Sequence, residues 1–375
     1  MPLGLTTSIR TLPSKPSPDH NLVRLLTDVD RLVDEVLYPA AANVDVADEL
    51  PAANFRAIAD LGLYGLVVDP ERGGLGCDQA AVRAVFRRIG SGCGATAFAF
   101  AQHHGTVGSL LTTANEELRS EWLPRLVGED LAGIGYAHVR RGGPPVLSAK
   151  PDGDGWILDG TAPWVTSWGF APVFAIAART PDGDLVWVLV PGRETDGLTA
   201  GPRFELMVFG ATQTVPLRFS RYRVGPEAVL EVTDGGAWGA RDRFLAARPN
   251  PMAVGIGDRA LRLLAVKEPG LADELRPWWD QVADRAEDQC RKVDEGRADV
   301  AAVAHSRAEV LAGLQRLTTA LVAALGGSAM ERAHPAQRLA REALFYVVQA
   351  QSADGRAATL DRLAGRAADL PSGRD

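Results

Sequence analysis

Apolar positions along the chain change period twice, and the changes divide it into three. From about Asn21 to Asp130 the period is helical: Leu22, Leu25, Leu26, Val29 and Leu32 recur at three- and four-residue spacing and form one stripe. A second helix is predicted from Ala52 to Leu61, ended by Gly62. An apolar stretch, Tyr64 to Val68, then runs into the turn Glu71-Arg72-Gly73-Gly74-Leu75-Gly76. Helical spacing resumes over Gln79–Ile89, Ala95–Leu111 and Asn115–Leu126.

From about Leu131 to Val232 the pattern turns to short alternating runs between turn residues. Trp156-Ile157-Leu158 follows Asp152-Gly153-Asp154-Gly155, and Val173–Ala178 and Leu185–Val190 are separated by Pro181-Asp182-Gly183-Asp184. Thr214–Phe219 and the segment around Val224 continue the series, which predicts a small β-barrel or sandwich. After Ala237 helical spacing returns in four long stretches: Ala240–Val266, Leu271–Val293, Val300–Leu325, and Pro335 to about Leu363. Four such helices with short connections predict an antiparallel bundle. The expected fold class is therefore α+β, organised as a leader (1–20), an N-terminal helical domain (21–130), a central β-barrel (131–235) and a C-terminal four-helix bundle (236–375).

Composition narrows the function classes. The net charge of −7 and pI near 5.5 argue against a nucleic-acid partner. Cys77, Cys93 and Cys290 are scattered, with no CxxC or Cys/His cluster, so neither a disulfide framework nor a metal site is expected. No apolar run of membrane-spanning length stands out, and the first residues lack an apolar signal core, so a cytoplasmic protein without a membrane partner is expected.

The order of the three parts, together with four local motifs, resembles the acyl-CoA dehydrogenase superfamily. Leu61–Val68 with Glu71–Gly76 is similar to its first-domain glycine turn, and Asn115-Glu116-Glu117 through Trp122-Leu123-Pro124 to Gly128-Glu129 to its following helix. Asp154–Gly160 followed by Trp164-Val165-Thr166-Ser167 resembles its middle-domain signature. Leu325-Gly326-Gly327 and Pro335–Ala343 resemble its C-terminal one. A single one of these is a common turn or core pattern; the four in order carry the resemblance, over roughly residues 22 to 365.

The resemblance implies an FAD-binding oxidoreductase, with FMN or reduced flavin as the other forms of the cofactor. Carried over by position, Trp164, Val165 and Thr166 lie against the flavin ring, Tyr136 and His138 at the strand end beside it, and Gly326 and Gly327 near the nucleotide. It also implies a homodimer or homotetramer, and a small-molecule substrate such as a CoA or carrier-protein thioester that gives a hydride to flavin N5.

The chain departs from the family's pattern in four places. The acidic, serine-containing loop expected after Tyr136 reads Ala137-His138-Val139-Arg140-Arg141-Gly142-Gly143, and an arginine–phenylalanine–glycine element is replaced by Lys267-Glu268-Pro269-Gly270. Ala323 stands where the family has a glutamine. Most consequential, the carboxylate that removes the α-proton in acyl thioester dehydrogenation falls, counted from Arg341, on Ala350. A second family location falls on Leu245, with Asp242 the nearest carboxylate; Glu342 and Asp354 are further acids, the former fitting an internal structural pair.

Dehydrogenation, the commonest activity on this fold, remains the first expectation, and a missing base leaves two alternatives open beside it. Flavin-dependent monooxygenases on the same fold use reduced flavin and oxygen and need no such carboxylate. They need a dry pocket with a hydrogen-bond donor or histidine, for which His103, His104, Ser167, His138 and His334 are candidates. The other alternative is a degenerate, non-catalytic subunit. The catalytic candidates are thus His104, Ser167 and Asp242.

Overall fold

The computed structural model describes residues 18–366, and most of the leader (residues 1–17) lies outside them. The first stripe forms α1 (Pro18–Leu32), which passes through one π-turn, Val33–Leu37, into α2 (Tyr38–Val46). Helices α3 (Ala52–Asp60), α4 (Gln79–Gly92), α5 (Gly94–Thr112) and α6 (Glu116–Gly128) follow. Their starts are written in the side chains: Asp78 accepts from the Ala81 amide and Asn115 from the Leu118 amide, each capping a free helix end. Tyr64–Val68 is a buried turn rather than a strand. The glycine turn folds back on it, with the Leu75 amide donating to the Gly65 carbonyl and Cys77 to Leu66.

The middle segment forms β1 (Ala132–Gly135), β2 (Leu147–Asp152), β3 (Gly155–Val165), β4 (Val173–Arg179), β5 (Leu185–Pro191), β6 (Leu198–Ala200), β7 (Val215–Val224) and β8 (Val229–Thr233). They make one eight-stranded sheet ordered β6-β7-β3-β2-β4-β5-β8, with β1 parallel to β4. Side-chain alternation explains why β4 and β5 are buried throughout. Phe174, Ile176, Val186 and Val188 point inside the curled sheet, towards Leu158 of β3 and Leu217 of β7. Ala175, Ala177, Trp187 and Leu189 point the other way, onto α5 and α6. The expected barrel is therefore an open one: its end strands β6 and β8 do not pair, and helices cover its outer face at β4 and β5.

The C-terminal part contains α7 (Gly235–Ala247), α8 (Pro251–Lys267), α9 (Pro269–Asp294), α10 (Val300–Leu325), α11 (Pro335–Val348) and α12 (Ala353–Leu363). Two of the four expected stretches are each broken in two. The first breaks at Arg248-Pro249-Asn250, where Asn250 caps α8 by accepting from the Met252 amide. The fourth breaks at Ala350, whose φ of 49° ends α11 before Ser352 caps α12. Glu268 separates α8 from α9, as the sequence indicated. Helix α10 lies at the centre, packed by α8, α9, α11 and α12.

With the turn that follows it, α10 is the one stretch among the described residues apolar and long enough by composition to cross a bilayer (mean hydropathy 1.3). In this fold that apolar character serves the bundle core instead. The bundle joins the N-terminal helices where α4 crosses α8. There Gly255 permits backbone contact, since a Cβ at that position would stand 1.8 Å from the Arg87 carbonyl oxygen.

Candidate functional site

Residues carried over to the flavin ring meet where β1 ends beside the end of β3. Gly133 makes this approach feasible: a Cβ there would stand 2.2 Å from the Phe174 ring and 3.0 Å from the Thr166 carbonyl oxygen. Trp164 is the exposed element, 45% accessible although it is a large aromatic, with one face stacked on Phe204 at 4.3 Å between ring centroids. Val165 is buried inside the sheet. Thr166 is buried and shares a hydrogen bond with the Thr214 hydroxyl at 3.0 Å; Thr214 in turn pairs with Thr212, whose hydroxyl donates to the Phe209 carbonyl at 2.7 Å.

Ser167 is fully buried in a left-handed backbone conformation (φ 79°). Its amide donates to the Thr212 carbonyl, while its Oγ has no hydrogen-bond partner. A buried hydroxyl without a partner is costly, and this one lies three residues along the chain from the exposed Trp164.

Around Tyr136 the structure differs from what the sequence suggested. The Tyr136 ring packs with Trp187 and Trp238 at centroid distances of 5.5 and 6.2 Å, and the Arg140 guanidinium lies 4.8 Å over it. Ala137–Arg140 forms a 3-10 turn that points its polar groups inward. His138 Nε2 donates to the Ala177 carbonyl at 2.8 Å, so its imidazole serves the sheet; burial holds its pKa down to about 4.

Asp242 is the clearest correction. Arg140 grips it through two hydrogen bonds, 2.7 and 2.8 Å, with both side chains largely buried. A carboxylate held in a bidentate arginine fork joins the 3-10 turn Ala137–Arg140 to α7 and is not poised to remove a substrate proton. The other acids are likewise engaged. Glu342 pairs with Arg338 at 2.7 Å inside the protein, its carboxyl pushed up by burial, and Arg243 holds Asp354 below the usual carboxylate range. Leu245 is exposed, and Ala350 offers no proton acceptor.

The histidine candidates belong to the scaffold. His103 Nε2 donates to the Tyr64 carbonyl and its Nδ1 accepts from the Ala132 amide, both at 3.1 Å. His104 lies edge-on to Phe86, Phe100 and His103, inside the N-terminal helices, with neither ring nitrogen hydrogen-bonded. His334 caps α11. Gly326 and Gly327 open the turn after α10, and a Cβ on either would meet nothing within 4 Å, so this side is open.

Sequence reading missed an aromatic cluster. Phe98 of α5, Phe209 and Phe345 of α11 meet pairwise, with centroids 5.7, 4.9 and 4.6 Å apart. Its members come from three distant segments, and no local periodicity marks them. Two clefts, about 480 Å³ beside α6 and β5 and about 580 Å³ between α4, α8 and α9, are lined by none of Tyr136, Trp164, Thr166 or Ala350. Among the described residues no group of His, Cys, Asp and Glu is arranged for a metal ion.

A planar ring system fits one end of this site. The free face of Trp164 and the unpartnered Ser167 hydroxyl suit the ring of a flavin. The turn Ala137–Arg140 gives the phosphates little, because its histidine and first arginine are committed to Ala177 and Asp242.

Comparison with known proteins gives these features their setting. Residues 18–130 match the family described as acyl-CoA dehydrogenase, N-terminal domain. The bovine mitochondrial short-chain specific acyl-CoA dehydrogenase is 28% identical over 202 residues, 52% of this chain and 49% of that protein, so the match spans about half that relative's length. A probable acyl-CoA dehydrogenase of Mycobacterium leprae is 26% identical over 303 residues, 78% of this chain and 77% of the relative.

Among solved structures, butyryl-CoA dehydrogenase from Megasphaera elsdenii superimposes with a TM-score of 0.78 at 17% identity, covering 94% of this chain and 100% of that one. Dibenzothiophene monooxygenase from Paenibacillus sp. A11-2 does so with a TM-score of 0.75 at 19% identity, covering 93% and 99%. Residues 18–130 thus carry an acyl-CoA dehydrogenase N-terminal domain, and the chain is similar over most of its length to a probable acyl-CoA dehydrogenase and shares the three-part acyl-CoA dehydrogenase fold.

Proposed function

We propose that the protein is a flavin-dependent oxidoreductase that binds FAD, or FMN, against the ends of β1 and β3. The observation that carries this reading is the exposed Trp164 beside the buried Thr166 and the unpartnered Ser167 hydroxyl. A bound flavin supplies hydride acceptance and, when reduced, reaction with oxygen. The chain's own residues do the rest: Trp164 covers a ring face, and the Thr212–Thr214 pair fixes the Thr166 hydroxyl. A threonine hydroxyl has one hydrogen and two lone pairs, so Thr166 keeps a position free for a ligand after bonding Thr214.

The reaction class follows from the acids. Dehydrogenation of an acyl thioester needs a carboxylate within reach of the α-proton. Ala350 has none, Arg140 holds Asp242 and Arg338 holds Glu342. This favours oxygen-dependent monooxygenation of a small molecule over α,β-dehydrogenation. The likeness to a monooxygenase structure supports the fold's compatibility with that chemistry and no more.

Purified protein is expected to show the visible absorption of oxidised flavin, and that band to persist when acyl-CoAs are added without oxygen. Trp164→Ala is expected to weaken flavin binding about tenfold, read by fluorescence titration of flavin into stripped protein. Bleaching by an acyl-CoA would restore the dehydrogenase reading. A protein that stays colourless with added FAD or FMN would leave only the non-catalytic subunit.

A homo-oligomer belongs to the same proposal. Leu344 and Val348 of α11 and Leu360 and Leu363 of α12 are all exposed, an apolar surface suited to a second copy. Light scattering in line with gel filtration is expected to give a mass at least twice the chain's 39.9 kDa; a monomer at working concentration refutes it.

A further inference from the structure

Among the described residues five non-glycine residues have left-handed backbone, and four of them lie along one connected path through the fold: Ser167, Phe209, Gln213 and Ala350. Phe209 and Gln213 flank the turn Gly210–Thr212, whose Thr212 carbonyl holds the Ser167 amide. Ala350 ends the helix that carries Phe345, which meets Phe209. Each such residue costs about 1 kcal/mol, and strain of this kind persists where the surroundings enforce it, most often at binding sites.

What the strained turn enforces is the position of the Phe209 ring, packed between α5 and α11 against Phe98 and Phe345. Through its carbonyl, Phe209 ends the hydrogen-bond chain from Thr166; through Phe345 the wall reaches the helix that ends at Ala350. The wall therefore spans the gap between the flavin-ring residues and the position that carries the base in related enzymes. Phe98 and Phe345 are only partly buried.

Near the wall, α11 carries three polar atoms without partners, the first of them Arg338 Nη2, a donor on the arginine that pairs with Glu342. Glu342 Oε2 and Tyr346 Oη are both buried, one turn apart on the same face, and neither has a hydrogen-bond partner. The Glu342 carboxyl group and the Phe209 ring both crowd Gly94, and the Tyr346 ring stands 5.5 Å from that of Phe345. An aromatic wall near a net-neutral pair with a free donor and a free acceptor describes a ligand by its chemistry: flat, uncharged and carrying one hydroxyl that can both donate and accept.

We propose that Phe98 and Phe345 are specificity-determining residues that admit such a planar aromatic substrate and bar a linear acyl chain. Two partly buried rings in edge-to-face contact can part to take a third ring between them, which preserves aromatic contact on both sides. A flexible acyl chain gains no such contact and must displace the rings altogether. The proposal rests on the flavin reading only for what is done to the substrate afterwards.

The test is calorimetric titration of 2-naphthol and of octanoyl-CoA into the protein as purified, with flavin content read separately from its absorption. Wild type is expected to bind 2-naphthol and to take octanoyl-CoA at least about tenfold more weakly. Phe98→Leu, which keeps an apolar side chain and removes the ring, is expected to weaken 2-naphthol about tenfold; Tyr346→Phe, which keeps the ring, tests the polar edge and is expected to weaken it several-fold. Phe345→Ala is expected to improve octanoyl-CoA binding. Octanoyl-CoA binding wild type as tightly as 2-naphthol, or 2-naphthol affinity unmoved in Phe98→Leu and Phe345→Ala, overturns the proposal. A colourless protein that still binds 2-naphthol in a Phe98-dependent way refutes the flavin reading and leaves the wall standing.

Discussion

Acidification from about pH 7 to about pH 5 is expected to remove about 4 kcal/mol of folding stability, through His103 and His138 alone. Both imidazoles are buried neutral, and burial is the first cause that holds each pKa down to about 4, against 6.5 for an ordinary histidine. The unfolded chain therefore binds protons that the folded chain refuses. Stability from each is fully present above the unfolded value, falls as pH drops through it, and is gone once the folded value is passed. At about pH 5 each histidine has lost about 2 kcal/mol. His104, lowered further by burial and by His103, adds to the loss; Glu342, whose carboxyl is raised by burial, works in the opposite sense.

His103 explains why the loss is local before it is global. Its Nδ1 accepts from the Ala132 amide, so protonation there sets two N–H groups against each other at the start of β1. That strand leads to Tyr136, and acid should loosen the flavin-ring end first. Urea midpoints measured across this range check the prediction, and a midpoint that stays level between the two ends would sink it. His103→Gln retains donor and acceptor and should flatten the curve.

The fold was legible in the chain because its signals are local. Asn115 and Asp78 mark helix starts by chemistry that needs only the next three residues. Val173–Ala178 and Leu185–Val190 read as strands from their runs and turns, although nothing in them says that both faces are covered. The site was legible only in part. The motif Trp164-Val165-Thr166-Ser167 marks one wall of the proposed flavin site, and the alanine at position 350 offers no carboxylate where a dehydrogenase would be expected to carry one.

What stayed hidden depends on partners far along the chain. Asp242 reads as a free acid until Arg140, 102 residues away, is found gripping it. His138 reads as a ligand contact until its ring is seen turned to Ala177. The left-handed backbone at Ser167, Phe209 and Ala350 carries no glycine to announce it, because the surrounding structure, and not the residue type, imposes the conformation.

The same reasoning singles out Arg307, whose replacement by methionine is expected to cost about 4 kcal/mol. The residue is 4% exposed, and its guanidinium forms no ion pair with a carboxylate among the described residues. It donates instead to the carbonyls of Arg248, Tyr346 and Gln349, which end α7 and α11. Two helix C-termini present partial negative charge to it, so the cation is held by peptide dipoles in place of a counter-ion. That support is incomplete: burial and the nearby Arg140 bring its pKa down to about 10, still far above any pH at which the protein would be studied.

Methionine fills the volume of the stem but leaves three carbonyls without donors, at a cost of about 1–3 kcal/mol each before relaxation. Lysine keeps the charge and loses the planar fork, and is expected to recover about half of the stability. Because Gln349 precedes Ala350, the loss should also free the turn that ends α11, and with it Phe345. Arg307→Met is therefore expected to weaken 2-naphthol binding at temperatures where the protein is still folded, whereas Arg87→Met, which breaks the ion pair to Asp258 between α4 and α8 and shares no partner with Arg307, should lower stability and leave that binding unchanged. Denaturant midpoints and calorimetry on the two variants separate these effects, and an Arg307→Met protein within about 1 kcal/mol of wild type would show that water satisfies the helix ends as well as the arginine does.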